Sequence, residues 1–330
     1  MGDGSRIDWL RRAGAKPATW NPVRGCTPES PGCANCYAPR SAIRLSEEGQ
    51  PYHGLVESTP KGPKWTGEVR TVPSMLTKPL RWKKPRMIFV NSMSDLFHKD
   101  VPSRFIAAVF GVIAASPQHT FQVLTKRMSR ALEWLEELHE SAELRKLAPQ
   151  ARCVLELETV LHDLGESKLK PDYDRKAWPL PNLWFGASGE NQRQLDKRVK
   201  DLFLFDAAVR WLSLEPLLDG VHVSDHLPHP ASCRCGECYR RAHHPSDPLV
   251  DWVVVGGESG PGARPFDPDW ARQLVTECKI AGTPLFVKQL GSNPIGVHLN
   301  MRNTNLLSHT DNIKQIITHR WFSTSNLNRL

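Results

Sequence analysis

Short runs of apolar and β-branched residues recur along the chain, and most are followed by a segment whose apolar positions have helical spacing. The apolar runs predict buried β-strands at residues 86–91, 120–125, 182–187, 209–214, 252–256 and 284–288. One more strand is expected just before Cys26. The segments with helical spacing predict helices at residues 103–115, 129–147, 190–202 and 267–281. Strands and helices are therefore expected to alternate along most of the chain.

This alternation predicts an α/β protein with a parallel sheet that is covered on both faces, because the strands of such a sheet are apolar throughout. For 330 residues and about seven βα units, a partial or complete parallel (βα) barrel is the first expectation, and an open doubly wound sheet is the second.

The predicted domain organisation has one large domain and a tail. Residues 1–291 are predicted to form the barrel domain, which carries two inserts. The first insert, residues 148–180, contains a predicted helix at residues 154–164, and the second covers residues 219–249. Residues 292–330 are rich in Asn, Thr and Ser, with weak periodicity, and are expected to be a loosely structured tail.

Polar residues directly follow most of the predicted strands. The carboxyl ends of parallel strands meet at one face of the sheet, so these side chains are expected to line a shared pocket. Charged residues that directly follow an apolar run are the candidates for catalysis: Lys126, Glu215, Glu258 and Lys288. The backbone at Gly256, Gly257 and Ser259 is expected to approach a phosphate, carboxylate or ribose closely, although the spacing matches no nucleotide fingerprint.

Composition indicates an ordinary globular protein, with 40% hydrophobic and 24% charged residues. No apolar run approaches the roughly 18 residues that span a bilayer, and the first residues lack the apolar centre of a secretory signal. A cytoplasmic location without a membrane partner is therefore expected. The net charge of +8 favours a polyanionic partner such as a nucleic acid, although the basic residues are scattered.

Three cysteines, Cys26, Cys33 and Cys36, lie within eleven residues of the loop that follows the first predicted strand. In a reducing compartment such a group indicates metal binding or catalysis more often than disulfides. Three thiolates leave a tetrahedral iron or zinc site one ligand short, and an open position is typical of a catalytic centre. The spacing by itself does not separate iron–sulfur from zinc.

A second group of cysteines lies in the second insert. Cys233, Cys235 and Cys238, together with His243, predict a zinc site with three thiolates and one imidazole. An auxiliary iron–sulfur cluster and the absence of any metal remain the alternatives. Cys153 and Cys278 fall on predicted helices and are expected to be buried apolar residues.

Eight segments of the chain resemble successive sequence blocks of one family: TWNPVRGC, PGCANCYA, NSMSDLF, QVLTKR, LWFGASGEN, RWLSLEPLL, WVVVGGESGPGARP and PLFVKQLG. The family is phage-associated, has no known function, and has three-Cys-motif partner proteins as genomic neighbours. It resembles in turn the radical S-adenosylmethionine (SAM) enzymes. The usual cysteine spacing of those enzymes is C-x3-C-x2-C, whereas six residues separate Cys26 from Cys33 here.

The resemblance implies a [4Fe–4S] cluster on Cys26, Cys33 and Cys36, with SAM bound at the fourth iron. Reductive cleavage of SAM would give methionine and a 5′-deoxyadenosyl radical. It also implies an electron donor, a three-Cys-motif partner protein and a substrate that is a nucleic acid or another phage- or host-derived molecule.

The same resemblance suggests roles for the residues at the strand ends. Ser92, Ser94 and Asp95 are candidates to accept a hydrogen bond from the SAM amino group, and Tyr37 is expected near the adenine. Candidates for ribose contacts are Ser188, Glu190 and Asn191. Residues that would face the substrate or the methionine carboxylate are Lys126, Glu215, Glu258, Ser259 and Lys288.

Two other functions stay open from the residues alone. One is a zinc-stabilised nucleic-acid-binding module without catalysis, which the basic charge and the cysteine- and histidine-rich insert support. The other is a metal-dependent nuclease or hydrolase with Asp95, Glu215 and Glu258 as oxygen ligands. That reading leaves the three clustered cysteines without a role.

Overall fold

The computed structural model describes Ser5 and residues 7–10, 14–174, 177–228 and 249–295. The chain divides into two compact units. Unit 1 comprises Met1–Ala187 and Lys197–Ala208, and unit 2 comprises Ser188–Asp196 and Val209–Leu330. Unit 1 contains the three cysteines of the first loop, whereas the cysteines and histidine of the predicted zinc site, Cys233, Cys235, Cys238 and His243, lie outside the described residues.

Seven strands form one sheet in which neighbours along the chain are neighbours in the sheet. They are β1 (Lys16–Trp20), β2 (Arg86–Val90), β3 (Thr120–Thr125), β4 (Leu183–Ser188), β5 (Val209–Leu214), β6 (Trp252–Gly256) and β7 (Leu285–Gln289). The pairings from β1 to β4 and from β5 to β7 are parallel. In a doubly wound sheet the strand order reverses at one point. The order does not reverse here, and the sheet is a partial parallel barrel. The first expectation for the fold is confirmed.

Seven helices are needed to describe the surroundings of the sheet: α1 (Tyr37–Ala42), α2 (Thr77–Arg81), α3 (Ser103–Ala114), α4 (Met128–Leu144), α5 (Pro149–Asp163), α6 (Gln192–Leu204) and α7 (Pro268–Ala281). α7 has the predicted ends. The side chain of Asp267 accepts a hydrogen bond from the N–H of Asp269, and Gly282 ends the helix with a left-handed φ of 73°. α5 begins five residues earlier than predicted, at a proline in the first helical position.

The core of unit 1 includes a close contact between α3 and α5. A Cβ on Gly111 would lie 2.5 Å from the backbone oxygen of Cys153, so only glycine lets the two helices approach this closely. Cys153 is fully buried there, and Cys278 is buried in unit 2, as predicted. On the same unit 1 core, the rings of Phe185 and Phe205 stack with their centroids 3.7 Å apart.

A small substructure around α1 was not predicted. Two ribbons of two-residue strands occur here, Val23–Arg24 with Arg70–Thr71 and Val56–Glu57 with Lys64–Trp65. A separate apolar cluster supports them, formed by Ala38, Ala42, Tyr52, Leu55, Val56 and Met93. Cys36 packs against this cluster, which connects it to the first cysteine loop.

Unit 2 contains β5, β6, β7 and α7. The indole rings of Trp211 and Trp252, which are paired in register on β5 and β6, stack with centroids 5.2 Å apart. Of the predicted tail, residues 292–295 are described, and the N–H of Ile295 donates to the backbone oxygen of Phe266. No helix in the part of the chain that the structure describes is long and apolar enough to cross a bilayer.

Two buried histidines are expected to make the stability of unit 1 depend on pH. Burial lowers the pKa of His119, whose Nε2 lies 3.2 Å from the backbone oxygen of Pro79. Burial, followed by the charge of Arg127, lowers the pKa of His98. The unfolded chain therefore binds more protons than the folded protein below about pH 6.5, and the free energy of unfolding should decrease as the pH falls below that value.

Urea denaturation of the wild type and of His119→Gln at about pH 7.5 and about pH 5.5 checks this expectation. The wild type should lose more stability between the two pH values than the variant, because glutamine takes up no proton. An equal loss in the two proteins would contradict the role of His119.

Candidate functional site

The loop after β1 is joined to the loop after β2 by backbone and side-chain hydrogen bonds. The N–H of Asn91 donates to the backbone oxygen of Trp20 at 2.8 Å, and its Oδ1 accepts from the N–H of Val23 at 3.3 Å. Asn91 has a left-handed φ of 55°, which asparagine tolerates better than most residues. Gly25 then forms a parallel bridge with Ser94. These contacts place Cys26 beside the carboxyl end of β2.

Cys33 and Cys36 lie in a short turn that leads into α1. Cys33 ends a single 3-10 turn that begins at Pro31, and the N–H of Cys36 donates to the backbone oxygen of Cys33 at 3.3 Å. α1 begins at the next residue, Tyr37. The two thiols are therefore three residues apart in one compact turn, held by the apolar cluster behind Cys36.

The three thiols are partly exposed, form no disulfide, and lie within reach of one another's charge. Burial and then the Asp95 carboxylate raise the pKa of the Cys26 thiol to about 12, with smaller contributions in the same direction from Cys33 and Cys36. The guanidinium of Arg127 opposes these effects. A thiol in this setting gives up its proton when a bound cation replaces it, as metal ligands do.

Asp95 is a buried acceptor of four hydrogen bonds. Its Oδ1 accepts from the N–H of Phe97 at 3.0 Å and from the hydroxyl of Thr125 at 2.8 Å. Its Oδ2 accepts from the N–H of Lys126 at 3.1 Å and from Nη1 of Arg127 at 3.0 Å. The carboxylate thus uses the four acceptor positions that an ionised aspartate offers. It joins the end of β3 to the loop after β2.

Arg127 extends this network to the cysteine loop. Its Nη2 donates to the backbone oxygen of Thr27 at 2.8 Å and to the Thr27 hydroxyl at 3.2 Å, and its Nη1 lies 3.9 Å from Sγ of Cys26. Nε lies 3.5 Å from the Glu29 carboxylate. The Arg127 side chain is 10% exposed, so these contacts are largely shielded from water.

His98 completes the network from the other side of Thr27. Its Nδ1 accepts from the N–H of Asp100 at 3.2 Å, so in the neutral ring the proton is on Nε2. Nε2 lies 2.7 Å from the hydroxyl of Thr27 and donates to it. The residue after Cys26 is therefore held by both Arg127 and His98.

Unit 1 brings together the residues predicted after β2 and the residue after the last cysteine. The hydroxyl of Tyr37, which is largely exposed, donates to the backbone oxygen of Ser92. The Ser92 hydroxyl donates to Oδ1 of Asn21 at 3.2 Å, and the Ser94 hydroxyl donates to the backbone oxygen of Val23 at 2.8 Å. These hydroxyls hold the loops around the cysteines in place, and the backbone of Lys126 lies in the same network through Asp95.

No group of three or more His, Cys, Asp and Glu side chains among the described residues converges closely enough to hold a single metal ion. The hydrolase hypothesis takes Asp95 from unit 1 and Glu215 and Glu258 from unit 2 as ligands, and it stays a prediction. A cluster of several irons spaces its thiolates more widely than one ion does, so the same finding leaves the three cysteines available to such a group.

Unit 2 has its own polar site at the ends of β5, β6 and β7. Nζ of Lys288 lies 3.1 Å from Oε1 of Glu215, and the hydroxyl of Ser213 donates to Oε2 of Glu215 at 3.2 Å. Gly256 lies beside this pair, because a Cβ on it would be 2.7 Å from Oε1 of Glu215. The sequence placed Glu215, Lys288 and Gly256 at strand ends, and unit 2 brings these three together.

The glycines after β6 accommodate the chain that follows β7. A Cβ on Gly257 would lie 2.6 Å from the backbone oxygen of Leu290 and 2.7 Å from the nitrogen of Gly291. The N–H of Gly257 donates to the backbone oxygen of Gln289 at 3.0 Å. The close approach that these glycines allow is therefore used by the protein's own backbone.

Glu258 is buried and bound by Arg264. Its Oε2 accepts from the backbone N–H of Arg264 at 2.9 Å and from Nε at 3.1 Å, while Nη2 lies 2.5 Å from Oε1. This bidentate pair closes the loop after β6. Ser259, the next residue, is exposed on the same loop.

The residues after β4 lie at the start of α6. Ser188 is the last residue of β4 and Glu190 is fully buried, with its backbone oxygen accepting from the N–H of Leu218 at 2.8 Å. Oδ1 of Asn191 accepts from the N–H of Gln194 at 3.0 Å, which caps the first turn of α6. The helix consequently begins two residues later than predicted.

A family model described as "Protein of unknown function (DUF5131)" matches residues 4–311. The chain belongs to this family. The match includes both units' described strands and the loop with Cys26, Cys33 and Cys36. Comparison with curated proteins and with solved structures finds no match.

Sequence reasoning missed Arg127, whose guanidinium lies 3.9 Å from Sγ of Cys26, and residues around it. It selected Lys126 at the end of β3, whereas the contacts with the cysteine loop are made by its neighbour Arg127, through Thr27. It also missed His98 and, in unit 2, Arg264. The signal was present for Arg127, because it follows the same apolar run as Lys126.

Replacing Gly256 with alanine is expected to separate Glu215 from Lys288, since the new Cβ occupies the space beside Oε1 of Glu215. Crowding of this kind typically costs about 1–3 kcal/mol, and the lower part of that range applies because the contacting atom is the end of a side chain. Urea denaturation measures the effect. Gly220→Ala is the matched control in unit 2, because its Cβ would meet only Trp270 at 3.5 Å. Equal stability of both variants would contradict the expectation.

Proposed function

We propose that this protein is a radical-SAM-type iron–sulfur enzyme that reductively cleaves S-adenosylmethionine to modify a substrate. The observation that supports the proposal best is the set of three partly exposed thiols, Cys26, Cys33 and Cys36, gathered beside the carboxyl ends of β1 and β2. Strand ends of this kind are where parallel α/β barrels carry their active sites. The parallel half-barrel is consistent with this enzyme class.

The donor set fits a [4Fe–4S] cluster better than a single ion. It provides three sulfur ligands from one loop, and the described residues contain no three-ligand site for a single ion. A cluster bound by these thiols would supply one electron to SAM, whose sulfonium carbon–sulfur bond then breaks. The residues that would hold the cluster are Cys26, Cys33 and Cys36.

The neighbouring residues of unit 1 have roles that follow from their contacts. Arg127 and His98 hold the residue after Cys26, and Asp95 holds Arg127. Tyr37 and Ser92 keep the turn of Cys33 and Cys36 against the loop after β2. These contacts hold the residues next to Cys26 and Cys36 in place, and contacts of this kind with the residues around metal ligands tune a metal group.

The roles of the remaining predicted residues stay proposals. Ser94 and Asp95 in unit 1, with Ser188, Glu190 and Asn191 at the β4 end, are proposed to lie near SAM. In unit 2, the pair Glu215 and Lys288 offers a carboxylate and an ammonium group 3.1 Å apart, which suits proton transfer. The residues proposed to face the substrate are Lys126, Glu215, Glu258, Ser259 and Lys288.

Iron and sulfide analysis after anaerobic reconstitution tests the proposal. The wild type is expected to be brown, to hold about four irons per cluster and to absorb near ~400 nm. Reduction in the presence of SAM should release 5′-deoxyadenosine. Cys33→Ala is expected to lose the cluster at this site and the release of 5′-deoxyadenosine, because two thiolates do not hold it.

Two controls make the result specific. Cys153→Ala removes a buried thiol on α5 and should keep the wild-type iron content. Cys235→Ala identifies any iron that belongs to the second cysteine group. Colourless wild-type protein after reconstitution, or equal iron in wild type and Cys33→Ala, would rule the proposal out.

The partners of the protein are likewise proposals. An external one-electron donor is required by the chemistry, and a three-Cys-motif partner protein is suggested by the family resemblance. A nucleic acid substrate is consistent with the net charge of +8.

A zinc-stabilised nucleic-acid-binding protein is the second candidate function. The supporting observation is that Lys16, Lys83 and Lys84 are exposed on neighbouring segments, since the N–H of Lys16 donates to the backbone oxygen of Pro85. This candidate predicts zinc without iron, and duplex or single-strand binding that weakens steeply with salt. Iron bound at Cys33 would decide against it.

A further inference from the structure

We propose that Arg127 is a positioning residue that holds the Cys26 loop and raises the reduction potential of the iron–sulfur group bound there. This inference rests on the proposed function. It assigns control of the reduction potential at that site to a residue outside the cysteine motif. The family resemblance gives Arg127 no role. Its contacts in unit 1 supply the argument.

Arg127 is bound on every side of its guanidinium. Nη1 donates to Asp95, Nη2 donates twice to Thr27, and Nε faces Glu29. These contacts fix the plane of the guanidinium, and they leave Nη1 at 3.9 Å from Sγ of Cys26. The charge cannot swing away from the sulfur without breaking the hydrogen bonds to Asp95 and Thr27.

A fixed positive charge beside a ligating sulfur favours the state of the metal group that carries more negative charge. The couple takes up one electron from an external one-electron donor, and no bond forms or breaks in this step. The reduced state is the more negative one, so a neighbouring guanidinium stabilises it and raises the potential. The effect is strong here because Arg127 is 10% exposed and little screened by water.

The charges that face Cys26 include both signs. Asp95 and Glu29 carry negative charge on either side of Arg127, and Cys33 and Cys36 add their own. Removing Arg127 therefore leaves the sulfur among negative groups, whereas removing Glu29 leaves the guanidinium less neutralised. The two changes are expected to shift the potential in opposite directions.

The experiment is a redox titration of the reconstituted full chain with dithionite and mediators, followed by the electron paramagnetic resonance signal of the reduced cluster. Arg127→Met keeps most of the side-chain stem and removes the charge, so its midpoint potential should be lower than that of the wild type. Arg127→Lys keeps a positive charge but loses the two-pronged guanidinium, so its midpoint potential should lie between those of Arg127→Met and the wild type. Glu29→Gln, at a partly exposed position, should have a higher potential than the wild type.

Arg130→Met is the matched control. Arg130 is the next arginine in the chain and lies on α4, where it bonds to Ser103 and Glu137. It should leave the potential unchanged. A purely structural role of Arg127 would lower the iron content but leave the potential of the loaded fraction at the wild-type value.

The outcomes separate the inference from the function on which it rests. A lower potential in Arg127→Met together with a higher one in Glu29→Gln supports the inference. Wild-type potentials in loaded Arg127→Met, or a potential at or below the wild-type value in Glu29→Gln, overturn it even if Arg127→Met fails to load. A wild type that takes up no iron overturns the proposed function, and the inference with it.

Discussion

Gly25→Ala is expected to destabilise unit 1 and to abolish iron binding at the first cysteine loop. Gly25 precedes Cys26 and has a left-handed φ of 81°. An alanine there costs about 1–2 kcal/mol from its backbone conformation alone. In addition, its Cβ would lie 2.1 Å from the backbone oxygen of Glu68, so either the cysteine loop or the segment that contains Glu68 has to move.

The displacement would fall on contacts that place Cys26. Gly25 is bridged to Ser94, and the Ser94 hydroxyl donates to the backbone oxygen of Val23. Moving this segment away from Glu68 shifts the sulfur of Cys26 relative to the turn that carries the other two cysteines. A site with three ligands tolerates such a shift poorly, because losing one leaves two.

Gly14→Ala is a closely matched control. Gly14 has the same φ of 81°, and nothing lies within 4 Å of the Cβ position. Its loss of stability, measured by urea denaturation, gives the backbone cost without a clash, and its iron content after reconstitution should equal that of the wild type. If Gly25→Ala matched Gly14→Ala in both stability and iron content, the close contact with Glu68 would have no consequence.

The sheet was largely predictable because each buried parallel strand is an apolar run of nearly its own length. β3, β5 and β6 begin and end where the sequence predicted them. β1 is the exception, since it ends at Trp20 rather than just before Cys26. Val23 lies in a separate two-residue strand and is buried there. In the sequence this apolar residue looks like a continuation of β1, which ends at Trp20.

The support of the cysteine loop was not predictable in the same way. Two-residue strands such as Val56–Glu57 are too short to show a period, so pattern analysis cannot find them. The apolar cluster that supports them joins Tyr52 to Met93, two residues far apart in the chain. The need for glycine at position 25 likewise depends on Glu68, which no local pattern connects to it.

The strand ends that carry the candidate site could be predicted, but which side chains bind one another there could not. The sequence placed Asp95 after β2 and Lys126 after β3, and parallel topology brings those ends together. Which of the two adjacent side chains, Lys126 or Arg127, binds the carboxylate depends on side-chain direction. In the structure Asp95 accepts from the guanidinium of Arg127 and from the backbone N–H of Lys126. Asn191 was selected for ribose, while its contact in the structure is a helix cap.

Asp95→Asn is expected to be among the most destabilising conservative changes in unit 1. The carboxylate accepts four hydrogen bonds, and the amide group of asparagine would direct N–H groups at two donors in either orientation. Arg127, which is 10% exposed, would also lose its buried counter-charge. Removing one partner of a buried pair typically costs about 3–5 kcal/mol, so the free energy of unfolding should fall by that order.

Glu29→Gln tests the specificity of that loss, because Glu29 is the other carboxylate that faces Arg127, at 3.5 Å and 34% exposed. Glu29 is in contact with water and its carboxylate makes one long contact with Arg127, so its loss should cost about 0–1 kcal/mol, and urea denaturation should show little change. Asp95→Asn should also reduce iron content, since Arg127 and Thr27 would no longer be held against the end of β3. Similar stabilities for the two variants would mean that Asp95 does not organise the loop, and the positioning assigned to Arg127 would then need another anchor.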